Sequence, residues 1–60
     1  MNTWIWLHPT ISGAILVNMS NVAYLFGCKD GTTMLVFANG KEMVVEENEN
    51  IILKGLKHEL

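Results

Sequence analysis

Thr32-Thr33-Met34-Leu35-Val36-Phe37-Ala38-Asn39-Gly40-Lys41-Glu42-Met43-Val44-Val45 is the stretch that decides the fold. Two runs of apolar and β-branched residues flank Asn39-Gly40, a dipeptide that readily takes positive φ and is the strongest short hairpin signal. A two-residue loop there predicts that Phe37 faces Glu42, Val36 faces Met43, Leu35 faces Val44 and Met34 faces Val45. Just upstream, Asp30-Gly31 repeats the signal between Ala23-Tyr24-Leu25-Phe26 and the strand that begins at Thr32. Treated alike, it sets Tyr24 opposite Phe37, Leu25 opposite Val36 and Phe26 opposite Leu35. Two hairpins in succession predict a three-stranded antiparallel meander.

Working outward, Ala14-Ile15-Leu16-Val17 predicts another strand, ended by the turn formers Asn18-Met19-Ser20-Asn21. Thr3 to Leu7 adds an N-terminal strand that Pro9 stops. Downstream the period changes. Glu46-Glu47-Asn48-Glu49 supplies acids and a capping residue, and Ile52, Leu53, Leu56 and Leu60 then recur at helical spacing. Lys54, Lys57 and His58 close the segment where the helix dipole favours cations, and Gly55 weakens it by about 1 kcal/mol. The predicted fold is mainly β (α+β): one domain over residues 1–60, an antiparallel sheet of about four or five short strands, and one C-terminal helix. Its face of Ile52, Leu53 and Leu56 is expected on the side of Leu25, Val36, Met43 and Val45.

Side chains alternate along a strand, so the predicted registers sort the sheet into two faces. One collects Ala23, Leu25, Met34, Val36, Met43 and Val45. The other collects Tyr24, Phe26, Cys28, Leu35, Phe37 and Val44, edged by Thr33, Glu42 and Glu46. Both are apolar, and one short helix covers only one of them. Tyr24, Phe26, Leu35, Phe37 and Val44 are therefore the candidate interface. The intramolecular alternative is an N-terminal lid, with Trp4 and Trp6 laid across the same face.

Composition points the same way. Half of the 60 residues are apolar and 17% are charged, yet a chain of this size buries only about 60% of its unfolded surface. Small domains lean on disulfides, a metal or self-association, so a homo-oligomer or a protein partner is expected. A single cysteine, Cys28, makes no internal disulfide and suits a reducing cytoplasm. Four lysines, no arginine and six acids give a net charge of −2. That balance argues against nucleic acid, which is met by clustered basic residues, and against an anionic membrane surface. No apolar run approaches the roughly 20 residues of a spanning helix, and the N-terminus lacks a basic signal region.

Specific chemistry finds little support. His8, Cys28 and His58 lie too far apart for the paired spacing of zinc ligands, and the acids around Glu46 lack the pattern of a calcium loop. A Cys–His nucleophile pair is spatial, but a small meander offers little concave volume for a substrate. No cofactor and no enzymatic activity are expected, and the methionines fit core filling.

From Ile15 to Leu56, the order Leu16-Val17-Asn18, Asn21-Val22-Ala23-Tyr24-Leu25, Thr32-Thr33-Met34-Leu35-Val36, Asn39 to Asn48 and Ile51 to Leu56 resembles the small FlbD-type proteins encoded among bacterial flagellar genes. The Asn-Gly-Lys turn followed by two valines, acids and a helix carries most of that likeness. The chain also looks like the strand core of LytTR DNA-binding domains, which makes a nucleic-acid-binding oligomer the alternative function. The basic loop residues such domains would set on DNA are not recognisable here. The resemblance implies a fold and no site residues.

Overall fold

Five runs of alternating side chains form strands, and the first helically spaced segment after them forms the helix. The structure, a computed structural model, describes residues 3–57. Its elements are β1 (Trp4–Leu7), β2 (Ile15–Asn18), a 3-10 turn (Met19–Asn21), β3 (Val22–Gly27), β4 (Thr33–Phe37), β5 (Glu42–Val45) and α1 (Glu49–Lys57). The protein is mainly β, all strand pairs are antiparallel, and the strands form two sheets: β1 with β2, and β3-β4-β5 in sequence order. The two sheets meet where the chain leaves β1. Pro9 bridges Val45, Glu46 N–H donates to the His8 carbonyl at 2.8 Å, and Thr10 N–H donates to the Val44 carbonyl at 3.0 Å. His8 to Thr10 thus run along the outer edge of β5.

Both hairpin registers differ by one residue from those predicted. Leu35 faces Met43 rather than Val44, Met34 faces Val44, and Val36 faces Glu42. Leu25 faces Leu35 rather than Val36, Phe26 faces Met34, and Tyr24 faces Val36. The cause is the same at both turns. A two-residue type I′ loop needs positive φ at both central residues, whereas only Gly31 (φ 90°) and Gly40 (φ 89°) are left-handed. Asp30 and Asn39 stay at negative φ and use their side chains instead, Oδ1 accepting the N–H of Thr32 at 3.1 Å and of Lys41 at 3.0 Å. Cys28 and Phe37 each accept the glycine N–H, at 3.1 and 2.9 Å, and each donates to the residue after the glycine at 2.8 Å. Each loop is therefore three residues long, a turn followed by a left-handed glycine bulge.

The shift re-sorts the faces. Leu25, Thr33, Leu35, Phe37, Met43 and Val45 now point inward together. Leu35, Val45, Leu7, Val17, Met19 and Ile52 form the buried cluster, with Ile5, Leu25, Phe37, Met43 and Leu56 packed against it. The helix and the β1–β2 pair both lie on this one side of the three-stranded sheet. Asn48 caps the helix as expected, its Oδ1 accepting the Ile51 N–H at 2.9 Å. Ile52 and Leu56 turn inward, but Leu53 is exposed, because the roughly 100° step per residue carries it past the contact stripe. Val36, expected under the helix, lies on the opposite face. Leu60 and His58 fall outside the described residues. Thr33, fully buried, donates its hydroxyl to the Glu47 carbonyl at 2.8 Å and so ties β4 to the turn before the helix.

Candidate interaction face

The outward face of the β3-β4-β5 sheet consists of two rows of three. Tyr24, Val36 and Glu42 form one, and Phe26, Met34 and Val44 the other. Tyr24 and Phe26, two apart on β3, stack with ring centroids 6.5 Å apart and planes 20° from parallel. They are 59% and 47% exposed, whereas Val36 on the central strand is only 8% exposed. Met34 and Val44 are half-buried. The side chains on either side shelter the centre of the face, and its β3 margin stands open.

Of the five predicted interface residues, the structure brings three together: Tyr24, Phe26 and Val44. Leu35 is 0% exposed and belongs to the core, and Phe37 is half-buried against it. Met34 and Val36 take their places, as the one-residue longer loops require. The lid is corrected as well. Ile5 and Leu7 anchor β1 in the core on the other side of the sheet, while Trp4 and Trp6 point away from it, Trp6 with 65% exposure. Ile11 projects from the loop after Pro9, beside an open groove of about 390 Å³ that Met34 and Val44 also line.

The most polar arrangement lies elsewhere. His8 Nδ1 is 2.5 Å from Glu47 Oε2, and the His8 backbone N–H donates to Glu47 Oε1 at 2.9 Å. The hydrogen bond to Glu47, with the charge of that carboxylate, raises the His8 pKa above 6.5. Burial works against the Glu47 carboxylate, but the side-chain and backbone hydrogen bonds from His8 outweigh it and leave its pKa below the usual value. The pair clamps the end of β1 to the turn before the helix. Asp30 is likewise held below its ordinary pKa by the hydroxyl and N–H of Thr32. Cys28 is a free, half-buried thiol at the end of β3. Among the described residues no group of three or more His, Cys, Asp or Glu side chains gathers as a metal site. No helix among the described residues is long and apolar enough to cross a membrane. Compared with protein-family models, curated proteins and solved structures, the chain matches none.

Proposed function

We propose that this chain is a non-enzymatic protein-interaction module that binds a protein surface, its own or another's, through Tyr24, Phe26, Met34 and Val44. One observation carries this reading: a stacked aromatic pair stands half-exposed on a sheet face that the core does not use. Interfaces are enriched in Tyr, Phe and Met, and a few such anchors hold most of the binding energy. Electrostatics support a protein partner over nucleic acid. The residues pointing outward from the three strands include one carboxylate, Glu42, and no cation, whereas a phosphate backbone calls for several. Membership of the FlbD-type proteins and a bacterial cytoplasmic setting belong to the same proposal.

The test compares the parent chain with Tyr24→Lys and Phe26→Lys, first by circular dichroism and then by association. Both variants should fold, because neither ring is in the core. The parent should self-associate in sedimentation, or retain from cytoplasmic extract a defined protein that both variants lose. Identical association by parent and folded variants would overturn the proposal.

A further inference from the structure

The two edges of the three-stranded sheet are not equivalent. The β5 edge is closed by His8 to Thr10, whereas among the described residues no strand pairs with the far edge of β3. Native sheets protect an open edge with charge, proline or a bulge. Val22–Gly27 contains no charge and no proline of its own, the Glu49 carboxylate lies against Gly27 where a side chain would project, and the strand's one irregularity is the register shift between Val22 and Tyr24. The Cys28 N–H bond to the Thr32 carbonyl sets the phase of the ladder. Tyr24 and Phe26 aim their backbone groups at β4, and Leu25 and Gly27 aim theirs at the open edge. Gly27 has no side chain, so its exposure is that of the main chain itself.

We infer that two copies of this chain pair antiparallel through their β3 edges, on a two-fold axis at Leu25, to make one six-stranded sheet. This rests on the interaction-face reading above and names the partner as a second copy. Several registers keep the outward-directed amides in phase, and side chains choose among them. An axis at Tyr24 or at Phe26 sets one ring against its own mate and leaves the other facing a non-aromatic residue. An axis at Leu25 puts Tyr24 of each copy opposite Phe26 of the other, in the pairs that are not hydrogen-bonded, where side chains approach most closely. Because the axis runs perpendicular to the sheet, the two outward faces join side by side. Four rings then form a continuous strip, and the open edge disappears.

Cys28, the chain's one cysteine, supplies a ruler on the unmutated protein. A nitroxide on each Cys28 should give a dipolar distance centred near about 20 Å, six residues at roughly 3.3 Å each. An axis moved to Tyr24 or Phe26 shifts this by about 7 Å in opposite directions. Sedimentation should show dimers, and Tyr24→Lys or Phe26→Glu alone should weaken them by at least about tenfold. The two changes together should restore them, since each lysine then faces a glutamate of the other copy. A label distance far from 20 Å, in a dimer that Phe26→Glu still breaks, would overturn the edge pairing and leave the interaction face standing. A dimer insensitive to both variants would overturn the two readings together. A parent chain that stays monomeric into the millimolar range would overturn the second copy as partner and return the face to another protein.

Discussion

On the inward face of the three-stranded sheet, Leu25, Leu35, Met43 and Val45 lie beneath a helix and a second pair of strands. On the outward face, Tyr24, Phe26, Met34 and Val44 are as apolar, but among the described residues no second layer covers them. Hydrophobicity therefore does not distinguish the two faces. Coverage does, and within the outward face position matters too: Val36, in the middle strand, is sheltered by its own sheet, while the β3 rings are not. The inward face holds the domain together, and the outward one is proposed for recognition. Substitutions should separate these two roles.

The largest contrast is expected in the central strand itself. Leu35→Ala should cost about 2–5 kcal/mol, comparable to the whole stability of a domain this small, and should unfold it at room temperature. Its neighbour Val36→Ala should cost about 1–2 kcal/mol, since the gap opens towards solvent rather than into packed core. Urea melts of both variants check this, and equal losses would break the distinction between the faces.

Next come the turns that decide which residues share a face. Gly40→Ala forces a side chain into left-handed backbone at φ 89° and should cost about 1–2 kcal/mol. Gly31→Ala should match it, as the two loops have the same geometry. Thermal unfolding of both variants checks this, and a cost near zero at either site would show that its glycine does not hold left-handed backbone.

Tyr24→Ser and Phe26→Ser should change stability by less than about 1 kcal/mol each while weakening association about tenfold or more. Differential scanning calorimetry on dilute protein separates the first effect from the second. A large loss of monomer stability would mean that the rings are structural after all.

The smallest effect belongs to the clamp between His8 and Glu47. The raised His8 pKa stabilises the fold fully below about 6.5, and that contribution disappears as pH rises through the folded-state value. The lowered Glu47 pKa contributes above its unfolded value of about 4.5 and is lost as pH falls through the folded one. Both contributions are present together from about pH 4.5 to 6.5. The melting temperature should therefore decline slightly on the alkaline side, as expected of an exposed pair, and His8→Gln should flatten that limb. An unchanged profile would show that the clamp carries no stability.

Much of this was legible in the residues. The five strands, both hairpins, the Asn48 cap and the helix follow from alternation, turn dipeptides and helical spacing. The face partition was not, because Asn-Gly and Asp-Gly serve two loop lengths. Which one forms depends on whether Asn39 and Asp30 rotate to positive φ or spend their side chains on the next N–H. For the candidate face, that ambiguity exchanged Leu35 and Phe37 for Met34 and Val36 while leaving Tyr24, Phe26 and Val44 in place. The destination of the N-terminal strand was equally hidden. Alternation shows that Trp4 and Trp6 share a side, but not that Ile5 and Leu7 on the other side would find the core beside the helix.

The matching loop lengths leave a simple arithmetic in the chain. Because each β-turn loop holds an odd number of residues, parity carries across it: Leu25, Thr33, Leu35, Phe37, Met43 and Val45 are odd and inward, and Tyr24, Phe26, Met34, Val36, Glu42 and Val44 are even and outward. The rule extends to Ile5, Leu7, Ile15 and Val17, and Val22 departs from it only because the irregularity at Ala23 inserts one residue. A single residue lost from either loop would exchange the two sets in every strand that follows, whereas two residues gained would leave them unchanged. Loop length in this fold is free to vary only in even steps.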